Sequence, residues 1–341
     1  MPVSFHIGCL PNRPVQDCLA LGRRAEELGY TGIWMADSHS VMRDAYSILA
    51  VLAAQTSTLQ LATGVTHTVT RHPAVLANSW ATLQELSDGR AICGIGVGES
   101  AVHNLGLKPE RLAVFETKIA VLRALLKGEP VEYEGKEIQM AWSTREVPII
   151  MASSGPRSLQ LAGRIADGVL FQVGSDPRLV QYALDNIRKG AEEAGRSLHD
   201  LKLYMRVATA VADDREQAKQ ELKGYASVAA GTVFSTVPRE YFDDALYEDL
   251  AQMKAQYDYA QHASNDSRQS DLLTDRIFDA IAVACTPEEA VQRFQVLADL
   301  GIDGFVWPAG MPDPLPYLET FADKVIPHVT GRLAATQAGL A

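Results

Sequence analysis

A (β/α)8 barrel with a helical insertion between its seventh and eighth strands is the α/β fold that this sequence predicts, on three observations. Eight short apolar, β-rich runs recur along the chain, amphipathic stretches with apolar residues at three and four spacing lie between them, and the runs are apolar on both faces. Strands of that kind are covered on both sides by crossover helices. Eight such units in a chain of 341 residues favour a closed parallel barrel over an open doubly wound sheet.

The strand-like runs are "VSFHIG" (3–8), "TGIWMA" (31–36), "LQLATGV" (59–65), "RAICGIG" (90–96), "VPIIMAS" (147–153), "DGVLFQV" (167–173), "LKLYMRVATAV" (201–211) and "DGFVWP" (303–308). The helical segments are 14–28, 44–55, 73–87, 110–127, 156–166, 177–194 and 287–300. In "EELGYTGIW", "DGRAICGIG", "RIADGVLF" and "ADLGIDGFV" a helix end, a glycine and an apolar strand follow one another. A left-handed glycine there is expected to turn each short loop back into the barrel. The segment 224–276 breaks the alternation, because it is too long for a loop and reads as two or three helical pieces. Placed after a barrel strand, it would lie over the C-terminal face as a lid, or serve as a surface or contact elaboration. The expected organisation is one barrel domain over 1–330, containing that insertion, and a short tail over 331–341.

Bulk properties exclude several classes of function. The net charge of −11, with acids and bases interspersed, offers no basic stripe for nucleic acid and no polybasic patch for a membrane. The N-terminus lacks a leader pattern and no run is long enough to span a bilayer, so a cytoplasmic location is expected. Cys9, Cys18, Cys93 and Cys285 are scattered without paired spacing, which indicates neither zinc nor disulfides. No metal site is expected, since His67 and His72 stand five apart in a loop and match no ligand pattern.

Polar and glycine residues concentrate where strands end. "ADSHSVM", "GVTHTVTRH", "GVGES", "SSGPR" and "QVGSDP" follow the second to sixth strands, so they form the C-terminal rim where barrel active sites sit. Glycine-rich rim loops let backbone amides approach a ligand, and two of these loops enter helices whose N-termini suit phosphate. The rim therefore predicts a buried, planar, phosphorylated cofactor, with Thr66, Gly98 and Ser154 among the residues around it. Two other motifs are set aside. "GIGVGES" lacks the third glycine spacing of a dinucleotide fingerprint, and "ASSGPRS" has no paired histidine and aspartate for acyl transfer.

The phrases "GIWMADSH", "ATGVTHTVTRHPAVLANSWATLQELSDGRAICGIGVGES" and "SSGPRSLQLAGRIADGVLFQVG" resemble the luciferase-like superfamily of flavin and deazaflavin oxidoreductases, across nearly the whole chain and least in 224–276. Within it the likeness is to the coenzyme F420-dependent branch that includes methylenetetrahydromethanopterin reductase. The resemblance implies a non-prolyl cis peptide at Gly64-Val65 behind the deazaflavin ring. It also implies contacts from Asp37 and Ser38 to the ring system, and from Gly155, Arg157, Val173 and Gly174 to the phosphate. Glu99 matches an acidic residue beside the reacting carbon, where partial burial would suit a general acid, with helix capping as the alternative. His39 stands one position beyond the histidine of some relatives, where this chain has Ser38, and is a second catalytic candidate. His262 resembles a residue that reaches the mouth.

The remaining polar residues read differently. His72 precedes Pro73 and is expected to be structural, with its backbone held extended. Arg71 is expected either to contact phosphate or to cap. His6, on the first strand, reads as a core histidine. The archaeal reductases of the resembling branch carry a glutamate where this chain has Gly8, so the substrate is expected to be another small organic molecule. The implied function is hydride transfer between F420 and that substrate. FMN-dependent monooxygenation, fed by a separate flavin reductase, is the alternative, and a non-catalytic flavin-binding barrel comes third. Helices 48–55 and 74–83 carry more small apolar residues than one buried face needs, and a homodimer is expected.

Overall fold

A computed structural model of the chain describes residues 3–143, 145–258, 264–309 and 313–331. All eight predicted runs form parallel barrel strands: β1 (Ser4–Cys9), β2 (Gly32–Met35), β3 (Gln60–Thr63), β4 (Ala91–Gly96), β5 (Ile149–Ser153), β6 (Gly168–Phe171), β7 (Lys202–Arg206) and β8 (Gly304–Ala309). Each pairs with the next, and β1 pairs with β8 in the register Ser4 to Gly304, which closes the barrel.

Closure creates two cores. Inside the barrel, β2 to β8 contribute Trp34, Ala62, Ile92, Ile150, Leu170, Tyr204 and Val306, and β1 contributes His6, whose ring stands edge-on to Trp34 and Tyr204. Outside it, the opposite strand faces pack on the helices, so both faces of every strand are covered, which is why the runs read as continuously apolar.

The helices begin where the sequence supplies start signals. Asp44 accepts the Ser47 amide at 2.7 Å to open α1 of the site region, Ala45–Gln55, and Pro73 follows His72 to open Pro73–Leu86. Thr286 and Glu289 form a capping box at Pro287–Asp299. Helices Pro156–Ile165 and Pro177–Glu193 approach closely because Gly163 and Gly190 meet the partner helix's backbone with no side chain between.

The structure corrects three sequence expectations and adds one element. The run 201–211 is two strands, not one: β7 ends at Arg206, and Ala208–Val211 leaves the barrel to pair in parallel with Ala282–Cys285. A run that is apolar on both sides of Arg206 hides that break, which is held by the Trp307 indole donating to the Thr209 carbonyl at 2.5 Å. The inserted helices accordingly start earlier than 224, since Arg215–Thr236 is one continuous helix with Gly224 buried in its interior. It is followed by Asp244–Ala255 and Asp275–Ile281.

The third correction concerns the turn glycines. Gly29, Gly89 and Gly301 do take positive φ, of 82°, 92° and 100°. Gly168 does not, because the helix before it ends in extended Ala166 and the glycine serves a close approach to the Lys202 carbonyl instead. The added element is an antiparallel hairpin, Val131–Tyr133 with Lys136–Ile138, which stands between the fourth barrel helix and β5 and turns at Glu134 and Gly135. No helix among the described residues is long and apolar enough to cross a membrane.

Candidate active site

The rim loops meet at the C-terminal mouth of the barrel. At its floor lies a narrow cavity of about 10 Å³, bounded by Gly8, Trp34, Gly64, Leu170, Val306 and Arg206 among others. The Gly64-Val65 peptide is cis, as the resemblance implies. A Cβ at Gly64 would stand 3.0 Å from the Trp34 Cβ, so the glycine lets the β3 end lie against β2.

Asp37, buried at 3% exposure, organises one side of the mouth. Thr66 donates to its Oδ2 at 2.7 Å, Arg71 Nη2 lies 3.4 Å from Oδ1, and His39 Nδ1 lies 3.5 Å from the same oxygen. Tyr46 donates to Thr66 at 3.2 Å, and burial raises the phenol's pKa. The Arg71 guanidinium stands 4.5 Å above the Tyr46 ring and also pairs with Asp44 at 3.4 Å. Arg71 thus bridges two carboxylates and stacks on an aromatic face, contacts that the sequence did not suggest. His39 joins the loops after β2 and β3, with Nε2 2.7 Å from the Thr70 hydroxyl.

His67 is buried, and its ring centroid lies 5.2 Å from that of His39. The Val69 amide donates to its Nδ1 at 3.3 Å, which leaves the proton on Nε2, and Nε2 has no partner. Burial lowers the His67 pKa, with Asp37 pulling the other way. His72 is structural as expected: it is extended at the cap of Pro73–Leu86, and its Nδ1 accepts the Ala74 amide at 3.1 Å.

After β4, Gly98 takes φ of 88° and turns the chain into the short helical turn Ser100–His103. Glu99 is exposed, not partly buried as expected, and its carboxylate accepts the Ser100 amide at 2.7 Å. The loop touches the β2 loop through the Ser38 and Ser100 hydroxyls, 3.5 Å apart. After β5, Gly155 precedes the helix Pro156–Ile165, whose first turn has no side-chain cap, and exposed Arg157 has no ion pair among the described residues. The Ser154 carbonyl accepts the Tyr182 hydroxyl at 3.1 Å. After β6, Val173 is buried and Gly174 takes φ of 90°. The following Ser175 and Asp176 amides both donate to the Ala280 carbonyl, which ties this loop to the insertion. His262 lies outside the described residues.

The loops thus bring Asp37, Ser38 and His39 together with Thr66, and Gly98 and Glu99 beside Ser38. Ser154, Gly155 and Arg157 form a separate uncapped helix entrance, and Val173 and Gly174 end the neighbouring strand. Sequence reasoning does not single out Arg206 or Trp34. Arg206 could have been found as the one charge inside the run "LYMRVATAV", at a strand's C-terminal end. Among the described residues no group of three or more His, Cys, Asp and Glu could hold a metal, and all four cysteines are free and buried.

The arrangement suits a ring cofactor with an anionic tail. Its observations are an apolar floor against Gly64, orphaned buried donors at His67 Nε2 and Trp34 Nε1, and an uncapped helix start for phosphate. Comparison with known proteins agrees. A 5,10-methylenetetrahydromethanopterin reductase of Methanolobus tindarius is 33% identical over 318 residues, covering 91% of this chain and 94% of the relative. An F420-dependent glucose-6-phosphate dehydrogenase of Microbacterium testaceum is 28% identical, covering 93% and 94%. The structure of the coenzyme F420-dependent tetrahydromethanopterin reductase from Methanopyrus kandleri superposes with a TM-score of 0.80 at 26% identity, over 97% of this chain and all (100%) of that one. The luciferase-like monooxygenase family model matches residues 3–304, and with the barrel and its glycine-lined mouth this establishes that the chain belongs to that family.

Proposed function

We propose that the chain is an oxidoreductase that transfers hydride between coenzyme F420 and a small organic substrate. The end-to-end likeness to an F420-dependent reductase carries the reading, and the mouth geometry supports it. When bound, F420 supplies a two-electron hydride carrier. Gly64 and Val65 would back its ring, and the Asp37, Thr66, Arg71 network would fix the loops around it. The amides after Gly155, with Arg157, Val173 and Gly174, would hold its phosphate. Trp34, Leu170 and Val306 keep the floor apolar and exclude water. Glu99 would hold a proton at its carboxylate above that floor, with His39 beside it.

Titration of the purified protein should give tighter binding of F420 than of FMN, by tenfold or more. Micromolar FMN binding with no F420 binding would favour the monooxygenase reading, to which the family's name points. The substrate reading follows from the mouth as well. Gly8 lines the cavity and can relay no proton, so methylenetetrahydromethanopterin should be turned over poorly or not at all. Robust turnover of it would reverse the reading. For assembly we propose a homodimer through the helices Ala45–Gln55 and Pro73–Leu86, which leave Val51, Val75 and Leu86 exposed. Light scattering at micromolar concentration should give twice the chain mass; a monomer mass would reject it.

A further inference from the structure

The mouth cavity has one charged wall. Arg206, the last residue of β7, lines it, and none of the other eight lining residues carries a charge. No carboxylate pairs with Arg206 among the described residues, and its Nε is buried without a hydrogen-bond partner. Its guanidinium lies 5.6 Å from the ring centroid of Tyr225, on the inserted helix Arg215–Thr236. Arg206 is half-buried, and its planar guanidinium, set beside apolar walls with no carboxylate partner, is left open to an anionic group.

We propose that Arg206, backed by Tyr225, anchors an oxyanion of the substrate, a carboxylate or phosphate group, at the floor of the barrel mouth. This rests on the F420 reading above and names the class of substrate that the same mouth would take. The cofactor's own phosphate has a separate place, the uncapped helix start at Gly155 and Arg157, on the loop after β5 rather than after β7. A guanidinium's planar fork matches two oxygens of an oxyanion at once, so the group that fits Arg206 fixes orientation as well as affinity. Tyr225 makes that fit depend on the insertion, because the ring against which the guanidinium lies belongs to the inserted helix.

The test uses the full chain and three separate titrations: acetate, inorganic phosphate and F420. Acetate or phosphate should raise the melting temperature saturably, and R206Q should weaken the effective anion roughly 10–100-fold, with Y225F weakening it less. Whichever of the two anions acts identifies the substrate's group. The F420 affinity of R206Q should stay within about threefold of wild type, and this shows at the same time that the variant is folded. R206K retains charge but not the planar fork, so it should recover only part of the anion response. No saturable response to either anion in the wild type would overturn the proposal. A tenfold loss of F420 affinity in R206Q, with the fold intact by circular dichroism, would also overturn it by assigning Arg206 to the cofactor. Failure of the wild type to bind F420 at all would sink the reading of function but leave the anion titrations to decide Arg206 on their own.

Discussion

Replacing Glu99 by glutamine should lower kcat by roughly 10²–10⁴ while the F420 affinity hardly changes. Glu99 follows the end of β4, at the face where barrel enzymes place their chemistry, and its loop reaches the β2 loop through Ser38 and Ser100. Its carboxylate accepts the Ser100 amide at 2.7 Å, so capping is the competing role. Glutamine separates the two roles. Its amide oxygen still accepts the Ser100 N–H, which preserves the cap, but it cannot donate a carboxylic proton or receive one. A loss confined to kcat therefore marks an interaction made in the transition state. Glu99→Ala removes cap and proton together and should add a stability loss of about 1 kcal/mol. Near-wild-type turnover of Glu99→Gln, with only Glu99→Ala destabilised, would assign Glu99 to capping and leave His39 as the remaining catalytic candidate.

The barrel was legible because its strands are short, apolar on both faces and separated by helices with clear start signals such as Asp44, Pro73 and Thr286. What was not legible has local physical causes. The break between Arg206 and Ala208 lies within a run that resumes its apolar character after the single charge of Arg206, because the departing strand is as buried as the barrel strand it leaves. Gly224 suggests a boundary to any propensity argument, yet it is buried in the interior of a long helix, where tertiary packing overrides its intrinsic cost.

The site divides in the same way. Loop positions could be placed on the rim from strand ends alone, but pairings could not. Nothing in "GVTHTVTRH" shows that Arg71 bridges Asp37 and Asp44, since both partners come from the neighbouring β2 loop. Glu99 likewise reads as a partly buried acid from its position and proves exposed, in the turn that Gly98 makes at positive φ. Arg206 escaped notice because a single charge at a strand end is ordinary until its lack of an acid partner is seen.

Acidification between pH 6.5 and 4.5 should destabilise the protein through His6, by about 2 kcal/mol over that interval and by about 4–5 kcal/mol if followed to pH 3. His6 is buried inside the barrel, edge-on to Trp34 and Tyr204. The Ser4 hydroxyl donates to the Asp303 carbonyl at 3.0 Å and so accepts from His6 Nε2, also at 3.0 Å. The ring is therefore neutral, with its proton on Nε2, and buried Nδ1 has no partner. Burial lowers its pKa from 6.5 to about 3, because no acid compensates the charged form. In that range the unfolded chain binds a proton that the folded chain refuses, so stability is complete above pH 6.5 and declines as the pH falls. Carboxylates held low in the fold, such as Glu26 and Asp44, add to the slope below about pH 5.5, and they do so equally in wild type and in a His6 variant, so the comparison of the two isolates the histidine. His67, also lowered by burial, adds a smaller contribution of the same sign. His6→Gln keeps a donor for Ser4 and cannot charge, so it should flatten the dependence of urea midpoint on pH across that interval, leaving the part due to His67 and those carboxylates. Equal slopes for wild type and His6→Gln would show that the barrel interior accommodates the imidazolium after all.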